Sequence, residues 1–194
     1  MSIPMVTPSR SLTGEELEVD EQLEEMLEPW GLKAEEFKGR EFETRQNVQS
    51  VKRELASKYG YQFDQLFDDQ LTDAYHYNIF PNVTISFAGA EYIGLQRMRP
   101  HRRDPERHYY DNFMYLSQGA AARLDVTEPE ERRFFKYGTE LMNRQIADQD
   151  LAISTGQQLG LASRGYKGVR LAGQEGRVQR FHDVLDEYLD GSRP

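Results

Sequence analysis

The stretch MNRQIADQDLAISTGQQLGL, residues 142–161, decides the fold. Met142, Ile146, Asp150, Ile153 and Gln157 recur every three or four residues, the spacing of one face of an α-helix. Asp150 therefore points where the hydrophobes point, whereas Asp148 falls on a different face. A carboxylate in an apolar setting costs on the order of several kcal/mol unless it is paired, protonated or bound to a metal. Two readings follow from the spacing: a metal ligand, or an ordinary buried acid bonded to backbone amides or an arginine. Thr127 and Glu130 have capping-box spacing, which predicts one long helix over 128–162. After a glycine-rich link, Gly160 to Gly173, a closing amphipathic helix is predicted over 174–189. Val178, Phe181, Leu185 and Tyr188 face inward on it, and His182 lies beside that stripe as a structural residue.

Upstream of this helix the period changes from 3.6 to 2. Aromatic and β-branched residues dominate 71–87, 91–99 and 107–117, which predicts an antiparallel meander of three strands. The first strand contains Phe80-Pro81-Asn82, where Pro81 implies a bulge or an edge. His76, Asn78 and Phe80 share strand parity and so one face of the sheet. By itself His76 reads as a core histidine bonded to a backbone carbonyl. The loop with Arg99, His101, Arg102, Arg103 and Arg107 is basic in an acidic chain; it is a solvated hairpin tip or a site for an anionic partner or substrate. Residues 34–59 predict a helix with Val48, Val51, Leu55 and Tyr59 on one side and Gly60 at its end. Between Glu15 and Glu28 stand eight acidic residues and no basic one, with Leu23, Met26, Leu27 and Trp30 at helical spacing. This is a short helix ended by Pro29 and Gly31, its acids a solvated face or a docking face for a basic partner. Residues 1–14 show no periodicity and are expected to be a flexible tail. The expected organisation is thus a tail at 1–14, a helical segment at 15–60 and the rest at 61–194.

Composition narrows the function classes. At 194 residues the chain suffices for one domain that buries about 70% of its unfolded surface. Its hydrophobic content of 38% and mean hydropathy of −0.79 are low for an independent domain, so the chain is expected to lean on a partner. A net charge of −9 and a pI near 5.0 argue against binding the phosphate backbone of nucleic acid. No apolar run approaches eighteen residues and no leader is present, so no membrane span is expected and the protein is expected in the cytoplasm. Cysteine is absent, which excludes disulfides, thiolate zinc sites and a [2Fe-2S] centre held by this chain. His76, His101, His108 and His182 are separated by 25, 7 and 74 residues, so none forms a close pair.

Two blocks carry a resemblance. Asp150, Gln157, Gly160, Leu161, Ser163, Arg164, Gly165, Tyr166, Glu175, Val178, Phe181 and His182 resemble the C-terminal end of the large (alpha) subunit of Rieske-type non-haem iron aromatic-ring-hydroxylating oxygenases. Asp73, Tyr75, His76, Tyr77, Asn78, Ile79, Phe80, Pro81 and Asn82, followed by Arg99, Pro100, Asp104, Pro105, Tyr109 and Asp111, resemble the family strand ending in Phe-Pro-Asn. Together the blocks span about residues 60–190.

The resemblance implies an α+β helix-grip fold (Bet v 1-like, START-type), an antiparallel sheet packed on a long helix, expected here as the incomplete C-terminal part of the catalytic domain. It makes Asp150 the carboxylate of a two-histidine-one-carboxylate Fe(II) site and Gln157 its supporting residue. His76, Asn78, Phe80 and Ile146 become substrate-pocket candidates, and no catalytic residue is assigned. The implied activity is O2-dependent monooxygenation or dihydroxylation of an aromatic or related substrate, as in aromatic catabolism. Electrons would come from NAD(P)H through a reductase, often a ferredoxin, and the [2Fe-2S] cluster of the full-length family, in a protein that commonly forms a homotrimer. The Rieske domain and the histidine pair are expected upstream, in a missing N-terminal half or a split partner chain. This fragment alone is therefore expected to be inactive. The alternative is a non-enzymatic helix-grip module that binds an apolar small molecule.

Overall fold

The computed structural model describes residues 2–10, 17–18, 21–136 and 145–192. The chain divides into two units, Met1–Glu128 and Pro129–Pro194. In the first, β1 (Ser2–Pro4) is followed by a two-residue ribbon of β2 (Ser9–Arg10) and β3 (Leu17–Glu18). Next come α1 (Glu21–Leu27), which runs into a single 3-10 turn at Glu28–Trp30, α2 (Thr44–Tyr59), which stops at Gly60, and the short α3 (Asp68–Thr72). The amphipathic spacing read in the sequence is realised in α1 and α2, but the helix expected over 34–59 starts only at Thr44: Ala34–Phe37 and Glu41–Glu43 are separate 3-10 turns, parted by Gly39 at a positive φ of 79°. Leu23, Leu27, Trp30 and Val48 are buried, while Glu21, Glu24, Glu25 and Glu28 face out.

The sheet is antiparallel, in the order β1-β4-β5-β6-β7, with β4 (Asp73–Ile79), β5 (Val83–Ala88), β6 (Tyr92–Pro100) and β7 (His108–Leu116). The expected first strand over 71–87 is two strands. A hairpin turns at Phe80-Pro81-Asn82, with Ile79 opposite Val83. Pro81 has no N–H to give a ladder, so the strand stops there. Asn82 fastens the turn to β6, its Nδ2 donating to the Met98 carbonyl (2.7 Å) and its carbonyl accepting the Met98 amide (3.0 Å). Residues 2–4, which carry no periodicity, pair as an edge strand with Asp73–Tyr75. The architecture is α+β, an antiparallel sheet with helices, as the helix-grip reading required.

One charge cluster joins these elements. Glu91, 4% exposed, precedes β6; its Oε2 accepts from Lys52 Nζ of α2 (2.8 Å). Its Oε1 accepts from Arg123 Nη2 (2.8 Å) and the Tyr61 hydroxyl (2.8 Å), Arg123 lying in α4 (Gln118–Arg123). Lys52 also donates to the carbonyls of Leu71 (2.7 Å) and Gly89 (3.0 Å). Both cations lie over the Trp30 ring, at 4.7 and 4.5 Å, a favourable contact with its negative face. Burial pulls the Lys52 pKa down against the pull of Glu91, and burial also pushes the Tyr61 phenol up. Phe63 stacks on Tyr61 at 4.4 Å, and Phe37, Leu71 and Ala120 close the core. Gly119 has to be glycine, because a Cβ there would lie 2.3 Å from the Tyr61 ring.

At the far end of the sheet, Asp111 of β7 accepts from two arginines of β6. Arg99 bonds it through Nε (2.6 Å) and Nη2 (2.9 Å), and Arg97 through Nη2 (2.8 Å). These bonds, Arg99's foremost, hold the Asp111 carboxyl well below the usual range.

The second unit contains α5 (Gln145–Leu161), a 3-10 turn at Gly173–Glu175 and α6 (Gly176–Leu189). The helix expected from residue 128 is not formed over 128–136, and 137–144, with Met142, lie outside the described residues. Residues 128–133 are charged apart from Pro129 and exposed, and Phe134 is 77% exposed. A short helix with no apolar face to bury is marginal, which accounts for the difference. On α6 the stripe is only partly covered: Phe181 and Leu185 are half-buried, Val178 and Tyr188 exposed.

Three outcomes follow from this packing. Glu91→Ala leaves two buried cations without their carboxylate, so the stability from urea unfolding should fall by about 3–5 kcal/mol; a loss below about 1 kcal/mol would contradict the central role of the cluster. Gly119→Ala should cost about 1–3 kcal/mol by overpacking against Tyr61, read in the same assay. Asp111 has a folded pKa below its ordinary 3.8, so its stabilisation is complete above that value and is lost as pH falls toward the folded one. Asp111→Asn should therefore be less stable by about 1 kcal/mol at neutral pH, a modest value for half-exposed arginines. The gap to the parent should shrink as the pH of the unfolding series drops below about 4.

Candidate functional site

The β4 residues singled out in the sequence lie where strand parity puts them. Residues directly opposite across a ladder share a face. His76, Ser86, Gly94 and Met114 make one row across β4 to β7, and Asn78, Thr84, Gln96 and Asn112 the next. This face is largely polar. His76 is exposed, and its Nδ1 lies 2.8 Å from Ser86 Oγ; the core histidine bonded to a backbone carbonyl is not what the structure contains. Asn78 is exposed beside it, and Phe80 is half-buried in the turn.

The opposite face is apolar, with Tyr77, Ile85, Leu95 and Phe113 in one row and Tyr75, Phe87, Ile93 and Tyr115 in another. Tyr77 and Tyr115 are each 52% exposed, so the aromatic rows are open to solvent. At the margin of this face Tyr75 donates its hydroxyl to Asp69 (2.8 Å); desolvation, then that bond, push its pKa up to about 12.

Asp150 stands in α5, in the second unit. Its side chain is exposed, as are Gln157 and the apolar Ile153, Leu159 and Leu161. The expectation of a carboxylate buried among hydrophobes is thus corrected: over the described part of the stripe, Asp150, Ile153 and Gln157 are exposed, and no desolvation penalty demands a partner. The Asp150 carbonyl accepts the Ser154 hydroxyl (2.9 Å), a bond within the helix. Asp148 is half-buried, and the Ile146 side chain lies outside the described residues.

The structure thus brings His76 and Asn78 together on one sheet face and describes Asp150 and Gln157 on a helix of the other unit. Among the described residues no group of three or more His, Asp or Glu side chains is placed to hold a metal. The residues present do not by themselves fit a mononuclear iron site, since they offer one carboxylate where three ligands are needed. A shallow cavity of about 270 Å³ in the first unit is lined by Tyr61, Phe63, Leu66, Ala90, Ser117 and Gln118. None of these is a sequence candidate. The buried Lys52, Glu91 and Arg123 were likewise illegible, because nothing in their local pattern separates them from surface charges.

Among known families, residues 14–191 match the family described as ring hydroxylating alpha subunit (catalytic domain). The match takes in the helices before Tyr59, where the motif blocks do not reach. No curated protein and no solved structure matches the chain.

Proposed function

We infer the function from a premise: the chain belongs to the ring-hydroxylating oxygenase alpha-subunit catalytic-domain family, matched across residues 14–191. Members are oxidoreductases that work with non-haem iron, a Rieske cluster and reductase or ferredoxin partners in oligomeric complexes. We propose that Asp150 supplies the carboxylate of the mononuclear Fe(II) site and that the two histidines come from residues outside these 194. The observation that carries the reading is the family match running through α5, on which Asp150 is a solvent-accessible carboxylate able to meet a metal. Gln157, two turns further along the same helix face, supports the ligand.

The face of β4 with His76 and Asn78, together with Phe80, contacts an aromatic or related substrate. The imidazole and amides there suit hydrogen bonds to a polar substituent, and Phe80 suits a ring. The reaction is O2-dependent hydroxylation or dihydroxylation. The cluster, the two histidines and the reductase that passes on electrons from NAD(P)H all lie outside this sequence, and the complete assembly is a homotrimer. One carboxylate does not retain iron, so the chain alone is inactive.

A second reading is favoured by the exposed aromatic rows: an apolar-ligand module without iron. Two measurements separate the readings. The purified chain, given reductase, electron donor and an aromatic substrate, should show no substrate-dependent O2 uptake; uptake would refute the inactivity of the isolated chain. In the complex recovered from its native cell with a tag on this chain, Asp150→Ala should lower bound iron at least about tenfold, and Gln157→Ala about 10- to 100-fold in affinity. Undiminished iron in Asp150→Ala would refute the assignment, and an iron-free complex that still binds an apolar ligand would favour the module.

A further inference from the structure

Residues 128–136, EPEERRFFK, belong to no helix or strand and begin at the division between the two units. Every residue of 127–134 is exposed. Pro129 has no N–H to give and disfavours the helical conformation in Glu128 before it, so the chain enters the segment extended. Arg133 lies over the Phe135 ring at 4.8 Å, a contact between near neighbours that ties the segment to no distant element.

An endoprotease binds several residues of its substrate in extended form, hydrogen-bonded like an added strand. In a helix or a ladder that demands local unfolding, at a free energy up to that of the whole domain. In an exposed segment outside both it demands almost none, which is why nicking concentrates at such places. Adjacent arginines occur twice in the chain, at 102–103 and 132–133. The first pair sits in the tight turn between β6 and β7. That turn is closed by the His101 amide on the Arg107 carbonyl (3.0 Å) and the Arg107 amide on the Asp104 carbonyl (3.2 Å). The second pair stands in the open segment. Other cations outside helices are also held. The amides of Lys38 and Arg40 bond the carbonyls of Glu35 (3.4 Å) and Phe37 (2.8 Å). After α5, the Tyr166 amide bonds the Ser163 carbonyl (3.2 Å) around Arg164, and the Ala172 amide, two residues beyond Arg170, bonds the Glu175 carboxylate.

We propose that the Arg133–Phe134 bond is a processing site, at which an endoprotease of trypsin-like specificity divides the chain into its two units. The guanidinium of Arg133 suits a specificity pocket that ends in a carboxylate. Water is consumed: the Arg133 carbonyl carbon takes its hydroxyl and becomes a carboxylate, and the Phe134 nitrogen leaves as a free amine. Residues 1–133 keep the sheet, and 134–194 keep α5 and α6. Where Asp150 serves as proposed above, the cut parts the iron ligand from the substrate face. The site itself does not rest on that reading, and its test contains no iron.

The full chain, treated with trypsin sparingly enough for single cuts and read by intact-mass spectrometry, should give 1–133 and 134–194 as its first products. Arg102 and Arg103 should be cut only later. In R132Q/R133Q/K136Q, which removes the cations of the segment, the uncut chain should persist at least about tenfold longer, because the other sites need local opening. A first cut outside residues 132–136, or a variant digested as fast as the parent, would overturn the proposal. Chymotrypsin, which takes aromatic side chains, should cut parent and variant equally fast after Phe134 or Phe135. Loss of that cut in the variant would mean that the arginines shape the segment instead of being read by the protease, and would overturn the assignment as well.

Discussion

One buried carboxylate holds the first unit together. Glu91 is shared by an ammonium from α2, a guanidinium from α4 and a phenol just beyond α2, and Trp30 lies against both cations. Removing these groups from water is costly, and the cost is offset only because all of them find partners in one place. Among the described residues no buried side-chain nitrogen or oxygen lacks a hydrogen bond. The cluster also fixes where the sheet begins. Lys52 reaches the carbonyls on either side of β4 and β5, and the Glu91 carbonyl accepts the Ser117 amide at the end of β7 (2.8 Å). A shift of any of these elements by one residue would strand a buried charge.

From that anchored end the four long strands run outward and sort their side chains by parity. One face gathers Tyr77, Ile85, Leu95 and Phe113; the other gathers His76, Asn78, Thr84, Ser86, Gln96 and Asn112. An antiparallel sheet commonly buries one face and wets the other; here both are open in part, with Tyr77 and Tyr115 exposed on the apolar side and His76 and Asn78 on the polar side. The hydrogen-bonding face holds the substrate candidates, so parity separates the chemistry of recognition from the chemistry of packing. The same ladders carry Arg97, Arg99 and Asp111 to the far end, where they stiffen the hairpin that bears the basic turn.

The second unit has a different balance. α5 exposes Ile153, Leu159 and Leu161 together with Asp150. This fits the low hydrophobic content of the chain, which leaves little apolar surface to cover the helix. An exposed carboxylate is cheap to keep charged and open to a metal, but it cannot hold iron by itself. Family membership therefore rests on the match across nearly the whole chain, and the iron assignment on how α5 is completed by other residues.

The sequence by itself determined the local elements and the family. The apolar spacing of α1 and α2 and the change to period 2 after residue 70 reflect backbone geometry that repeats every few residues, so they can be read from neighbours along the chain. The absence of cysteine and of a close histidine pair also needs no coordinates. Only the tertiary structure decided that Lys52 and Glu91 are buried, because their partners lie 39 and 32 residues apart in sequence and each looks like a surface charge among its neighbours. It also turned the expected first strand into a hairpin, left 128–136 unwound and placed Asp150 in solvent. Those outcomes depend on what covers each element, and coverage depends on the fold of distant segments, which local periodicity does not record.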